Sequence, residues 1–240
     1  MRLEKGHLVA RLAVGPDDIA RAQALRHLCF VAARGLCRPG GRDEDRFDAD
    51  CTHVLIEDRT AQLLGCFRLM FLAAADIGQS YSAQFYDLSP LQGLGGRVME
   101  LGRFCIHPAA QDPDILRLAW GAITRMVDDH GVSLMFGCTS FAGADPALHG
   151  PALAHLARHH TAPAALAPGR RAGALDLPQG AGPLAANALP PLLRTYLGMG
   201  GWVSDHAVID ADLDTLHVFT AVQVARIPPA RVRALRALAS

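Results

Sequence analysis

Residues 97–138 read RVMELGRFCIHPAAQDPDILRLAWGAITRMVDDHGVSLMFGC and carry the clearest structural pattern in the chain. Residues 97–106 predict a strand, and Asp112 predicts the N-cap of a helix because its carboxylate can accept backbone hydrogen bonds. Apolar residues then recur at helical spacing, and Gly131 predicts the end of that helix. A strand over 132–138 follows. This order predicts two parallel strands joined by a right-handed crossover.

The rest of the chain supplies further elements of both kinds. In chain order we predict a helix opening at Asp17 and Asp18, strands 53–56 and 63–72 forming a hairpin, a loop-like segment 73–96, a helix 146–160, a Pro/Gly/Ala-rich loop 161–190, a short helix from Pro190, strands 206–210 and 216–224, and a terminal helix. This order predicts an α/β fold, a mixed sheet flanked by helices. We expect one domain over 1–240, because too little chain follows the loop for a second core.

The amino-acid composition limits the classes of protein to which this chain can belong. The chain has 240 residues, 50% of them hydrophobic and 19% charged, which is enough apolar content for a sizeable core. Lys plus Arg and Asp plus Glu number 23 each, a balance that argues against nucleic-acid binding. We find neither an export signal nor an apolar run of membrane-spanning length. Six cysteines without a C-x-x-C pair predict reduced thiols in a cytoplasmic protein and no metal site.

Several charged residues stand in apolar surroundings or in clusters. Arg26 and Phe30 are four apart and share one face of the first helix. Arg68 interrupts an apolar strand, where a charge is costly unless it is paired. A carboxylate cluster lies in the loop between them and comprises Asp43, Glu44, Asp45, Asp48 and Asp50. The cluster is either a solvated loop or a pocket for an amine, and both arginines are either surface residues or partners of carboxylates.

Glu100 and Arg103 place opposite charges in a strand that should be central. Their odd separation would put them on opposite faces of a regular strand, whereas a bulge at Gly102 would bring both to one side. A structural ion pair is the alternative interpretation. The histidines near residues 149–160 and the thiol of Cys138 fit a solvated helix face and a simple strand residue better than a metal site or a nucleophile.

Seven segments form a pattern within roughly residues 10–225. They are Asp45-Arg46-Phe47-Asp48, residues 85–90, residues 100–108, residues 136–141, Pro190-Pro191-Leu192-Leu193, residues 207–210 and residues 217–220. Together with Arg26, Phe30 and Arg68, this pattern resembles the ornithine–acyl carrier protein N-acyltransferases, which are relatives of the acyl-homoserine-lactone (autoinducer) synthases. The resemblance implies a fold similar to the GCN5-related acetyltransferases. In that fold a mixed, splayed sheet holds the acyl-pantetheine arm between two parallel central strands.

The implied reaction moves a 3-hydroxyacyl chain from acyl carrier protein to the α-amine of L-ornithine and gives a lyso-ornithine lipid. No cofactor is implied beyond the acyl-phosphopantetheine of the donor. We assign Glu100 as general base. We expect Arg103 to orient either Glu100 or the loop carboxylates. Residues assigned to the amino-acid substrate are Arg26, Phe30, Asp45, Asp48, Arg68, Ser140 and Phe141. Residues assigned to the acyl donor are Gly102, Phe104, Cys105 and Ile106, with backbone N–H groups near the bulge facing the thioester oxygen.

One segment departs from the coenzyme-A-using relatives. Their Gly-rich turn cradles a pyrophosphate at a helix N-terminus, whereas residues 111–115 here lack glycine and carry Asp112 and Asp114. These carboxylates would repel a pyrophosphate, which favours a carrier-protein donor. An autoinducer synthase using S-adenosylmethionine and a non-catalytic carrier-protein-binding module remain as alternatives. Peripheral contact of the arginine-bearing last helix with the membrane also stays open, beside a simple solvated face.

Overall fold

The structure is a computed structural model that describes residues 1–180, 184–185 and 187–239. Its residues group into two units, and each is described by itself. The first unit comprises Met1–Phe71, Leu101–Gly131 and Pro229–Ser240, and the second comprises Leu72–Glu100 and Val132–Pro228. The expectation of one domain over the whole chain stays a prediction.

Strands and helices are labelled in chain order. The strands are β1 (Arg2–Lys5), β2 (Leu8–Leu12), β3 (Thr52–Asp58), β4 (Leu63–Ala73), β5 (Tyr86–Asp87), β6 (Arg97–Ile106), β7 (Val132–Ala142), β8 (Gly169–Arg170), β9 (Ala174–Asp176), β10 (Trp202–Asp210) and β11 (Thr215–Gln223). The α-helices are α1 (Gly15–Phe30), α2 (Pro113–His130), α3 (Gly150–His159), α4 (Pro191–Gly198) and α5 (Pro229–Arg236).

In the first unit the strands follow the order β1-β2-β3-β4-β6, and the last of these contributes its second half. The pairs β1–β2, β2–β3 and β3–β4 are antiparallel, which confirms the predicted hairpin of β3 and β4. Helix α1 packs Ala22 and Leu25 against Leu55 of β3, Cys66 of β4 and Cys105 of β6. Burial of this apolar face holds the helix, and with it Arg26, against the sheet.

In the second unit β6 and β7 form the predicted parallel pair. Their register runs from Arg97–Val132 to Glu100–Phe136, where the parallel ladder ends. Strand β7 then pairs antiparallel with β11, and β11 pairs with β10. Helices α3 and α4 pack on the face of this sheet that carries Val218. The segment 74–91 packs on the other face, against Phe136 and Phe219.

Most boundaries lie close to the predicted ones. The Asp112 carboxylate caps α2 by accepting from the N–H of Asp114, and Gly131 ends it with the left-handed φ of 60° that glycine favours. The mixed sheet flanked by helices is therefore confirmed. The N-terminal hairpin β1–β2 is not among the predicted elements, because its strands are short and half-polar.

One expectation needs correction. The segment 161–190 contains the short strands β8 and β9, and β9 pairs with β10; residues 181–183 and 186 of this segment lie outside the described residues. The bulge predicted at Gly102 stays a prediction. Arg103 has a φ of 51°, whereas Gly102 is not among the residues with positive φ. A non-glycine residue in that region stores strain of about 1–3 kcal/mol, which its surroundings must offset.

Candidate active site

A buried network of arginines and aspartates occupies the first unit. Arg26, only 1% exposed, donates from Nε to Asp43 Oδ2 at 2.9 Å and from Nη1 to Asp48 Oδ1 at 2.7 Å. Arg68 Nη1 donates to the same Asp48 oxygen at 2.6 Å, and Gln23 Nε2 donates to Asp48 Oδ2 at 3.0 Å. Arg26 and Arg68 are therefore partners of carboxylates, and the surface alternative for both is wrong.

The more accessible edge of the network is formed by Asp45 and Arg103. Asp45 receives two hydrogen bonds from Arg68, at 2.6 and 2.8 Å, and one from Arg103 Nη2 at 3.2 Å. Arg103 Nε also donates to Asp43 Oδ2 at 3.0 Å. The Asp45 and Arg103 side chains keep 20% and 12% of their surface exposed, whereas Asp43 is fully buried. Arg103 thus binds the loop carboxylates, which is one of its two predicted roles.

Local sequence explains how the loop presents these carboxylates. Asp45 is the N-cap of a 3₁₀ turn, Arg46–Asp50, and its side chain accepts from the N–H of Phe47 at 2.9 Å. Asp48, three residues on, accepts in return from the Asp45 N–H in a capping box. The guanidinium of Arg68 lies 5.9 Å from the ring centre of Phe47, which also packs against Arg46. The D-x-x-D spacing therefore serves the turn as well as the arginines.

Electrostatics keep the two buried aspartates ionised. Burial by itself would raise the pKa of Asp43, but the charges of Arg103 and Arg26 outweigh it and lower that pKa. The pKa of Asp48 is likewise lowered, because hydrogen bonding to Arg26 overcomes the cost of burial. In contrast, burial lowers the pKa of the neighbouring His53, whose Nε2 lies 3.0 Å from the Asp48 carbonyl. The network is thus a set of charged pairs at neutral pH.

Glu100 lies in the second unit, where a short peptide segment holds it. Its Oε2 accepts from the Tyr81 N–H at 2.8 Å, and its Oε1 accepts from the Ser82 N–H at 2.7 Å and the Ser82 hydroxyl at 2.5 Å. The Cys138 thiol lies 3.4 Å from the Ser82 oxygen, to which it donates. Glu100 pairs with Phe136 in register, so it shares a sheet face with Phe136 and Cys138. A carboxylate fixed in this way is suited to accept a proton from an amine.

The same face continues to β11. Ser140 is exposed on β7 and lies opposite His217 in register. The His217 Nδ1 lies 3.0 Å from the Tyr86 hydroxyl, and burial lowers the pKa of His217 to about 4. Phe141 points to the opposite face and packs in the core with α3 and α4. A substrate contact of Ser140 or Phe141 stays a prediction, and burial of Phe141 is explained by packing.

The residues assigned to the acyl donor lie on the second half of β6. Phe104 stacks on Phe67 with ring centres 5.6 Å apart, and Cys105 lies buried with its sulfur 3.6 Å from that of Cys66. The Ile106 carbonyl accepts from the Cys29 thiol at 3.4 Å. Gly102 lies beside Arg68, whose Nε would be 3.6 Å from an added Cβ. Their contact with a donor stays a prediction.

The structure brings together much of what the sequence singled out. Arg26, Asp45, Asp48, Arg68 and Arg103 form one network in the first unit. Phe30 packs against the apolar cluster that includes Ala22 and Leu25 of α1. Sequence reasoning missed residues that complete these arrangements, namely Gln23, Arg38 and Ser82. Gln23 lies one turn before Arg26, a spacing that could have indicated it. Nothing in the loop sequence distinguishes Ser82 from Ser80.

In the part of the chain that the structure describes, His, Cys, Asp and Glu side chains form no group of three or more that could hold a metal ion. Over the same residues, no helix combines the length and apolar character needed to cross a membrane.

Comparisons with known proteins define first the class and then the family. Residues 25–121 match the model of the Acetyltransferase (GNAT) domain. FeeM, an N-acyl amino acid synthase from uncultured soil microbes, shares the fold with a TM-score of 0.54 at 12% identity, over 97% of this chain and 96% of that one. The acyl-homoserine lactone synthase BjaI, described as CoA-dependent, gives 0.52 at 14% identity over 95% and 86%. These matches show that the protein has the GNAT fold.

Sequence identity gives the closer relationship. The L-ornithine N(alpha)-acyltransferase of Rhodobacter capsulatus is 34% identical over 224 residues, which cover 87% of this chain and 86% of the relative. The chain belongs to the L-ornithine N(alpha)-acyltransferase family.

Proposed function

We propose that the protein transfers a 3-hydroxyacyl group from acyl carrier protein to the α-amine of L-ornithine and so forms lyso-ornithine lipid. The observation that carries this proposal is the 34% identity to an L-ornithine N(alpha)-acyltransferase over most of both chains. The carboxylate of Glu100, held by Tyr81 and Ser82, supplies the base that such a reaction needs.

The chemistry is aminolysis of a thioester. The α-ammonium loses a proton to Glu100, directly or through water, and the neutral nitrogen attacks the thioester carbonyl. The C–N bond then forms as the C–S bond breaks, and the nitrogen gives its second proton to the departing pantetheine thiolate, so the products are the amide and the free thiol. Peptide α-amino groups titrate near 8, whereas a side-chain amine like that of lysine titrates near 10.4, so the α-amine costs less to deprotonate. The side-chain amine stays a cation.

The Arg–Asp network is assigned to ornithine itself. A carboxylate recognises the side-chain ammonium, and an arginine recognises the α-carboxylate. Asp48 is engaged by Arg26, Arg68 and Gln23 and is nearly fully buried, so we give it the role of fixing the two arginines. The more exposed pair, Asp45 and Arg103, is better placed to exchange its mutual contact for the two ends of a zwitterion.

The turn before α2 supports a carrier protein as donor. The Asp112 carboxylate accepts from the Asp114 N–H at 2.8 Å, so the helix N-terminus already has an anionic partner. Asp114 carries a second negative charge, which its pair with Arg117 at 2.7 Å offsets in part. A coenzyme A pyrophosphate would meet both charges there. A carrier protein, which presents a single phosphodiester on its own surface, tolerates them better.

The decisive experiment uses purified protein, 3-hydroxyacyl carrier protein and either L-ornithine or S-adenosylmethionine. We expect product only with ornithine, with fragmentation placing the acyl group on the α-nitrogen. The variant Glu100→Gln should lower kcat by about 10²- to 10⁴-fold and recover partly at higher pH. Product with S-adenosylmethionine alone would identify an autoinducer synthase. Donor binding without turnover of either amine would identify a binding module.

A further inference from the structure

We propose that Ser82 is a positioning residue that fixes the carboxylate of Glu100 and keeps it ionised. The proposal rests on the proposed function, in which Glu100 is the base. Ser82 is fully buried and gives Glu100 Oε1 two hydrogen bonds, from its N–H at 2.7 Å and its hydroxyl at 2.5 Å. Both go to one oxygen, while the adjacent Tyr81 N–H binds the other oxygen at 2.8 Å. The carboxylate is therefore held at both atoms by two consecutive residues.

The direction of the Ser82 hydroxyl is set by Cys138. A serine hydroxyl has one proton to donate and also accepts hydrogen bonds. The Cys138 thiol donates to the Ser82 oxygen at 3.4 Å, which directs the hydroxyl proton to Glu100. A donor chain thus runs from β7 through the segment 81–82 to β6. Such a chain favours the charged form of the carboxylate, because each donor stabilises negative charge.

Other titratable groups lie near Glu100. They include Tyr81 on the segment that binds it, Cys138 on β7 and Tyr196 on α4. Burial, and then the charge of Glu100, raise the pKa of Tyr196. Tyrosine and cysteine ordinarily titrate near 10 and 8.5, far above a carboxylate. Asp210, which accepts from the Tyr81 hydroxyl at 3.4 Å, and His217, whose pKa is about 4, also belong to the second unit, so the Glu100 transition is identified by its loss in Glu100→Gln.

The test compares Ser82→Ala with Ser80→Ala. Ser80 is buried two residues away, and its hydroxyl has no hydrogen-bond partner within the described part of the chain, so it is a matched control. We expect Ser82→Ala to raise the pKa of Glu100 by about one unit, because it removes a hydrogen bond to the charged form. It should also lower kcat about tenfold, because one contact that holds the carboxylate in position is lost. Ser80→Ala should leave both unchanged.

A direct measurement tests the effect of Ser82 on Glu100 without relying on catalytic activity. The chain has four glutamates, at positions 4, 44, 57 and 100, so ¹³C-glutamate labelling gives four side-chain carboxyl signals. The Glu100 signal is the one lost in Glu100→Gln. Its titration in the wild type and in Ser82→Ala reports the Ser82–Glu100 coupling even if ornithine is not acylated. An absence of ornithine acylation would contradict the proposed function, whereas the titration would still test the Ser82–Glu100 coupling.

A double variant tests whether Ser82 acts through Glu100. In the Glu100→Gln background, Ser82→Ala should change kcat by less than about twofold, because its target is already gone. An unshifted Glu100 signal in Ser82→Ala would overturn the proposal. So would a further tenfold loss in the double variant, which would mean that the two residues act independently. Normal kcat in Glu100→Gln would overturn it as well, since the positioned group would then not be the base.

Discussion

Asp48 and Asp45 differ in what surrounds them, although both belong to the same loop. Asp48 is buried between Arg26 and Arg68, whereas Asp45 keeps a fifth of its side chain exposed. Removing one partner of a buried ion pair leaves an uncompensated charge, which costs about 3–5 kcal/mol. Removing a partly exposed carboxylate costs less, because solvent replaces its contacts. We therefore expect Asp48 to contribute mainly to stability and Asp45 mainly to substrate binding.

From this difference we predict that two matched substitutions affect different properties. Asp48→Asn should lower the free energy of unfolding by about 3 kcal/mol, measured by urea denaturation. Asp45→Asn should lower it by less than about 1 kcal/mol and raise the KM for ornithine about tenfold, with the KM for the acyl donor unchanged. A rise in the donor KM alone would assign the loop to the carrier-protein surface instead.

At the level of single elements, the start of α2 governs the choice of donor. We predict that a carrier-protein thioester outperforms the matched coenzyme A thioester by orders of magnitude in kcat/KM. Asp112→Ser keeps an N-cap but removes a charge, so it should raise kcat/KM with coenzyme A about tenfold. Asp129→Asn, at the other end of α2, is the control. Equal use of both donors by the wild type would contradict this interpretation.

Strand β11 carries a group that makes stability depend on pH. The His217 imidazole is buried, which lowers its pKa to about 4, while an unfolded histidine titrates near 6.5. Between these values the unfolded chain binds the proton and the folded chain does not, so stability falls as pH falls. The His217 contribution should be about 2 kcal/mol smaller at pH 5 than at pH 8. Urea denaturation at both pH values should show a smaller difference for His217→Phe; an equal one would refute the assignment.

At the scale of the whole chain, the C-terminus returns to pack against α2 in the first unit. A Cβ added at Gly121 would lie 2.2 Å from the Leu238 carbonyl oxygen, which is backbone and cannot simply rotate away. In a free helix, Gly→Ala is stabilising by about 1 kcal/mol. Here the clash dominates, and we expect Gly121→Ala to destabilise the protein by about 1–3 kcal/mol.

Thermal unfolding of two variants checks this expectation. Gly198 in α4 has no atom within 4 Å of an added Cβ, so Gly198→Ala is the matched control and should keep or raise Tm. Gly121→Ala should lower Tm by several degrees. An unchanged Tm would mean that the residues after α5 do not hold this position in solution.

Signals that act over a few residues were sufficient to predict β6, α2 and β7. The Asp112 cap, the apolar stripe of α2 and the glycine at position 131 all act locally, and the structure shows each in the expected place. The parallel pairing of β6 and β7 follows from their order along the chain. The acidic turn of residues 111–115 and the family relationship were also readable from the sequence.

Contacts between side chains that are far apart in sequence could be identified only from the folded structure. The sequence singled out Arg26, Arg68 and Arg103 as charges in apolar surroundings but could not say which carboxylates would meet them, because those contacts close loops of 17 to 60 residues. It offered no means to choose Ser82 as the residue that holds Glu100, because a buried hydroxyl and an exposed one look alike in a loop. It also gave no sign of the positive φ at Arg103, a residue that the carboxylates of Asp43 and Asp45 hold in place. Local propensity therefore determines the elements, and long-range packing and charge pairing determine which side chains meet.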